Sequence, residues 1–186
     1  MSGRLLERRP GWLAPVVVWA LSTGWVFLTY AWMKAAHADQ LTDGFKWRDE
    51  SSDSAWQTIR LWEMWKLGPQ TLWQMHIYPP LYDAIRYVFM QPEVASGQSP
   101  SAVAVDQRLY IVNAILFGLI AMVMYLWVRD LTRSGWWGLA GAAFWSLLPT
   151  SFAYVTLLSN PGLAMAAMAV AFYLLYRFCR TRRNGY

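Results

Sequence analysis

Charge is scarce in this sequence, and over long stretches it is missing altogether. Only 15% of the 186 residues are charged while 56% are hydrophobic, against roughly 25% charged in a typical soluble domain. No charged residue occurs from Pro10 to Met33, from Leu109 to Val128, or from Ser134 to Tyr176. Such a chain is hard to keep dissolved, so the soluble globular class is excluded and an integral membrane protein is expected. Cysteine is nearly absent: Cys179 stands alone, which excludes an internal disulfide. The two histidines, His37 and His76, are far apart. No Cys/His cluster with ligand spacing exists, and neither a metal nor any other cofactor is expected.

The charges that are present are unevenly placed. Nine of the 16 Lys and Arg fall in three groups: Arg4, Arg8 and Arg9; Arg129 and Arg133; and Arg177, Arg180, Arg182 and Arg183. Each group abuts the end of an apolar run. Retention of positive charge on the cytoplasmic side explains that pattern, so the net charge of +5 does not call for a nucleic-acid partner. Eight of the eleven acidic residues fall between positions 34 and 103.

These patterns predict an all-α integral membrane protein with four transmembrane helices. A cytoplasmic tail covers 1–11 and the first span 12–33, since its uncharged run exceeds the roughly 20 residues needed to cross a bilayer. Ala36-His37-Ala38 resembles a signal-peptidase site, but the preceding run is longer than a usual h-region of about 7–15 residues, and an uncleaved helix is expected. A large extracytoplasmic loop follows over 34–103, then spans at 104–128, 134–150 and 160–178. Pro149 and Asn160-Pro161 mark the turn between the last two, and a tail over 179–186 returns to the cytoplasm. The setting is the plasma or inner membrane of a cell envelope, with membrane lipids as the immediate surroundings. Gly135, Gly138 and Gly141, and the alanines at 164, 167, 169 and 171, offer small-residue surfaces on which helices can approach closely.

The loop has its own pattern. Ser54-Ala55-Trp56-Gln57 fits a capping box and predicts an amphipathic helix running to Leu67, ended by Gly68-Pro69. Its tryptophans suit a helix lying in the membrane interface, with few other apolar residues in the loop to form a core beneath it. A second short helix is predicted from Pro80, with Leu81, Ala84, Ile85, Val88 and Phe89 as its apolar stripe and Gln91-Pro92 as its stop. The Ser-, Gly- and Pro-rich stretch from Glu93 to Ser101 reads as a flexible connection.

Between the first span and these helices lies Trp47-Arg48-Asp49-Glu50-Ser51-Ser52-Asp53. Three carboxylates this close to a membrane face are candidates for general-base or electrostatic work, because partial desolvation raises their proton affinity. Taken by themselves they fit a solvated acidic turn better. Asp53, near a helix start, can also act simply on the helix dipole.

One transmembrane helix, an outer acidic pair at Asp49-Glu50, a Tyr78-Pro79-Pro80-Leu81 motif and Arg108 opening the second span form an ordered set. This order resembles the N-terminal part of the GT-C glycosyltransferases, among them the protein mannosyltransferases and the aminoarabinose transferases of lipid A. The resemblance covers most of this chain and implies a truncated GT-C-like fold and transfer of a sugar from a polyprenyl-phosphate donor to an extracytoplasmic acceptor. It implies Asp49 as catalytic base and Glu50 as its assistant. A carboxylate there takes the acceptor proton and stabilises the positive charge that develops at the anomeric carbon. It assigns Arg108, with Arg86 as a second candidate, to the donor phosphate. Tyr78, Pro79, Pro80 and Tyr82 would contact substrate, and Tyr82 and the Trp-rich helix suit stacking on sugar or polyprenyl. The chain departs from the family in two ways. Tyr78 stands where a basic residue is usual, with His76 two positions earlier as a substitute. Four spans are expected where such enzymes carry seven or more, which implies a second polytopic membrane protein as partner. A non-catalytic membrane subunit keeping the same fold is the alternative. A transporter or channel is disfavoured because no span carries an internal charge.

Overall fold

A computed structural model describes residues 12–36, 41–42, 46–47, 59–74, 81–151 and 160–183. Six α-helices dominate them: α1 (Leu13–Ala36), α2 (Leu61–Leu67), α3 (Leu81–Ala95), α4 (Ala102–Thr132), α5 (Gly135–Leu147) and α6 (Asn160–Arg183). A minimal antiparallel pairing follows α1, with Leu41 opposite Trp47 and Thr42 opposite Lys46 (β1, Leu41–Thr42; β2, Lys46–Trp47). Three helices are long and apolar enough to cross a membrane, through Leu13–Trp32, Ala102–Thr132 and Gly162–Thr181.

The central element is α4, with α1, α5 and α6 all packed against it. Its 31 residues make a rod of roughly 46 Å at the α-helical rise. That exceeds the ~30 Å thickness of a hydrocarbon layer. The uncharged stretch from Leu109 to Val128 is the part that matches the layer, leaving Asp106 and Arg108 at one end and Arg129 and Asp130 at the other.

Contacts between the long helices combine close backbone approach with a few polar links. Gly118 of α4 lies directly over the Trp19 carbonyl and Thr23 hydroxyl of α1. Beside it, the Trp19 indole donates to the Ile115 carbonyl at 3.3 Å. Further along, Tyr110 sits edge-on to Phe27 and donates to the Val26 carbonyl. The Ser22 and Ser146 hydroxyls meet at 3.0 Å between α1 and α5. Away from water such polar links hold helices together without a hydrophobic driving force. Elsewhere α1, α5 and α6 present large apolar side chains outward, including Leu21, Leu28, Trp136, Phe144, Phe172 and Leu175.

Several boundaries differ from the sequence expectation, each for a local reason. The helix expected from Ser54 begins, within the described residues, only at Leu61. Arg60 is extended there, and the Ile59 carbonyl accepts a hydrogen bond from Arg86. Its expected end holds: Gly68 takes a positive φ of 72° and a short 3₁₀ helix follows over Gly68–Gln74. This helix also has a core beneath it, contrary to expectation. Leu61 and Met64 are buried with Tyr82, Met90, Val105 and Leu109, while Trp62, Trp65 and Trp73 are exposed.

Pro92 does not stop α3, which continues to Ala95 and turns at Gly97, where φ is 76°. A proline ring crowds the carbonyl four residues back and removes one helical hydrogen bond. On either side of the Val88 carbonyl that Pro92 leaves without its helical donor, Gln91 donates to the Tyr87 carbonyl and Arg108 to that of Phe89. The expected flexible connection from Glu93 therefore begins inside a helix.

The span expected over 134–150 contains a break. Its helix ends at Leu147, because Leu148 precedes Pro149 and is pushed to an extended conformation (ψ 123°). Residues 149–151 resume a helical turn. At 13 residues, α5 is roughly 20 Å long. At the end of the chain α6 runs on to Arg183 rather than stopping at 178.

Candidate functional site

The most unusual chemistry among the described residues gathers where α3 meets the start of α4. Leu81, the last residue of the Tyr78-Pro79-Pro80-Leu81 motif, opens α3. Asp83 falls in the first turn, where the helix dipole favours a carboxylate. Three residues on, Arg86 lies on the same face and places Nη1 2.7 Å from Asp83 Oδ1. The same Nη1 donates to the Ile59 carbonyl at 2.6 Å, tying α3 to the segment that opens α2.

This pair is shut away from water: the Arg86 side chain is 0% exposed and that of Asp83 3%. Tyr82 and Asp106 are buried beside it. Two carboxylates, a guanidinium and a phenol thus share one low-dielectric nest, capped by Leu61 and Met64 of α2. Burial pushes the Asp83 carboxyl above its ordinary value, outweighing the opposing pull of Arg86. Burial likewise raises the Tyr82 hydroxyl, with Arg86 drawing it down and Asp106 and Asp83 pushing it further up. An ion pair this buried is costly to desolvate and fixes geometry more than it adds stability.

Arg108 follows Asp106 by two positions on α4 and reaches the end of α3. Its Nη2 meets Glu93 Oε1 at 2.7 Å and its Nη1 meets Oε2 at 3.0 Å, a bidentate fork. The Arg108 hydrogen bond holds the Glu93 carboxyl below its usual range. Because Nη1 also serves the Phe89 carbonyl, this guanidinium clasps the proline-weakened end of α3 to α4. Of the residues singled out in the sequence, the structure brings Tyr82 and Arg86 together and places Arg108 on Glu93. Tyr82 is 3% exposed, its ring covered by protein. Asp49, Glu50, His76, Tyr78, Pro79 and Pro80 lie outside the described residues, as does Asp53.

Asp83 and Asp106 are the members of the nest that sequence reasoning passed over. The spacing of Asp83 and Arg86 was a readable signal for a helical ion pair. Asp106 carried none, since a carboxylate near a helix start resembles any solvated charge. A second feature lies deeper in the bundle, an open cleft between α4, α5 and α6 with a cavity volume of only about 10 Å³. Its walls are mostly apolar, from Phe117, Ile120, Trp145 and Met165, with Asn113 and Ser151 as the polar contributions. Among the described residues no group of three His, Cys, Asp or Glu side chains is placed to hold a metal ion. No family model, curated protein or solved structure matches the chain.

Proposed function

We propose that the chain is a membrane module of GT-C glycosyltransferase lineage. It works at the extracytoplasmic face on a polyprenyl-phosphate-linked sugar and is completed by a second polytopic protein. The observation that carries this reading is the nest at the start of α3. The helix leaving Tyr78-Pro79-Pro80-Leu81 carries Asp83 and Arg86 as a fully desolvated pair against Asp106 of α4. A rigid charged base of that kind suits a motif that must hold a fixed position beside a reactive lipid phosphate. On this reading Asp49 takes the acceptor proton, Glu50 assists it, and the nest orients the loop above α4.

The same reading has four crossings, with α5 and the helical turn after Leu148 as a broken third one. Both termini are cytoplasmic and the segment 34–103 lies outside. The exposed tryptophans of α2 and the 3₁₀ helix support an interfacial position, with Trp73 82% exposed. Indole rings collect at the headgroup level because one edge is apolar and the other donates a hydrogen bond.

A second reading is favoured by Arg108. A guanidinium whose fork is occupied by Glu93 and the Phe89 carbonyl is suited to holding helices, and a non-catalytic subunit that keeps the fold would need only that. The two readings part in one experiment. In cells whose envelope glycosylation depends on this chain, Asp49→Ala abolishes sugar transfer while the protein still accumulates in the membrane. Full glycosylation by that variant excludes the catalytic reading and leaves the subunit.

A further inference from the structure

At the end of α4 opposite the nest, one carboxylate organises a group of arginines. Asp130 Oδ2 accepts from the Tyr173 hydroxyl at 3.1 Å and from Arg177 Nη1 at 3.3 Å, both on α6. Its Oδ1 accepts from the neighbouring Arg129 at 3.2 Å. The Asp130 main-chain carbonyl accepts from Arg180 Nη1 at 2.6 Å, and the same nitrogen bonds the Tyr176 hydroxyl at 3.0 Å. Arg133 stands exposed at the turn into α5. Asp130 is the only acidic side chain from Gln107 to Tyr186, so four arginines here, at 129, 133, 177 and 180, face one carboxylate.

The arrangement is more than a row of helix-end charges. Every hydrogen bond that Arg177 and Arg180 make among the described residues runs through Nη1. The Nη2 and Nε donors of both forks meet no acceptor among the described residues. Arg177 is 54% exposed in its side chain. The two lie three residues apart on one face of α6, with α6 held against α4 by the Asp130 contacts. Paired forks, an excess of positive charge and a position at the end of the α4 apolar stretch define an anion site at headgroup depth.

We propose that Arg177 and Arg180, oriented by Asp130, hold the phosphate of one anionic phospholipid headgroup between the ends of α4 and α6. This goes beyond the glycosyltransferase reading and rests only on the chain being in a bilayer. The site is a specific one, built by two forks, and differs from the diffuse attraction of any basic tail to an anionic surface.

The test is native mass spectrometry of the full chain released from nanodiscs that contain phosphatidylglycerol and phosphatidylcholine in equal amounts. One phosphatidylglycerol is expected to stay bound in preference to phosphatidylcholine. In the Arg177→Gln/Arg180→Gln variant its retention falls roughly thirtyfold, from about fivefold for each arginine at an anionic surface. The Arg177→Lys/Arg180→Lys variant keeps the charge and the α4–α6 contact region but loses both forks, and retention falls between the two. Arg8→Gln/Arg9→Gln, which changes net charge equally, leaves retention unchanged. Equal retention of both lipids by the parent chain overturns the proposal. So does a lysine variant that holds phosphatidylglycerol as tightly as the parent, since charge alone would then suffice. Displacement of the lipid by excess inorganic phosphate, with a phosphate adduct in its place, assigns the site to free phosphate and overturns the lipid.

Discussion

Arg86 shows how one residue's surroundings decide what its removal costs. Its charge is fully buried against Asp83, so Arg86→Leu leaves a carboxylate without its cation in a low-dielectric nest. That variant is expected to lose roughly 3–5 kcal/mol, whereas Asp83→Leu/Arg86→Met, which removes both charges, stays near the parent. Thermal unfolding in detergent, followed by helical circular dichroism, checks the contrast; equal losses would refute a desolvated pair. Two carboxylates of α3 also respond to acid in opposite directions. Glu93 is depressed by Arg108, so its contribution is present above 4.5, its ordinary value, and is lost as pH falls through the lower folded value. Asp83 is raised, so the folded state binds its proton more tightly. That contribution is complete below the ordinary value of 3.8 and is lost as pH rises through the higher folded one. Glu93→Gln is therefore expected to flatten the acid loss of stability between roughly pH 5 and 3, and Asp83→Asn to steepen it.

At the scale of elements, two glycines and a proline make the sharpest claims. A Cβ at Gly118 would sit 2.6 Å from the Trp19 carbonyl oxygen, a backbone atom that cannot swing aside. Gly118→Ala is expected to separate α1 from α4 and cost about 1–3 kcal/mol. Gly24, with no atom within 4 Å of a built Cβ, is the matched control, and its change to Ala gains up to about 1 kcal/mol of helix propensity. The same melting experiment ranks them. Pro92 weakens α3 from within, so Pro92→Ala is expected to slow amide hydrogen exchange at Ser96, whose N–H bonds the residue 92 carbonyl. An unchanged exchange rate there would mean that Pro92 does not weaken this end of α3.

For the whole molecule the strongest expectation is topological, and the chain carries its own probe. Cys179 is the sole cysteine and is exposed on α6, between Arg177 and Arg180. With both termini cytoplasmic, a membrane-impermeant maleimide should leave Cys179 unlabelled in intact cells and label it once they are permeabilised. Ser99→Cys in a Cys179→Ser background should show the reverse, since Ser99 lies exposed in the connection before α4. Labelling of Cys179 from outside would invert the orientation and move the nest and Asp49 to the cytoplasmic side.

The long helices were written in composition, because an uncharged run of bilayer length has few alternatives to a buried or membrane-crossing helix. The cores of Leu13–Ala36, Ala102–Thr132 and Asn160–Arg183 fall in the uncharged stretches, though the last two helices extend past them into the flanking arginines. The Gly68 turn was equally legible, since glycine readily supplies its positive φ. Beyond the i,i+3 spacing of Asp83 and Arg86, pairings were not legible. Arg108 looked free to hold a phosphate until α3 passed through Pro92 and brought Glu93 to it. The edge of α2 that would be buried depended on where Tyr82 and Val105 stood, and an eligible Trp stripe lay beside the Leu61–Met64 edge. Asp83, Arg86 and Asp106 are ordinary charges in the sequence and a sealed nest in the fold, as Asp130 is an isolated carboxylate until α6 returns beside α4. Local sequence sets which segments leave water, through hydrophobicity and backbone preference. Which charges meet is decided by tertiary packing, because Coulomb and hydrogen-bond partners are chosen by distance in space and not by order along the chain.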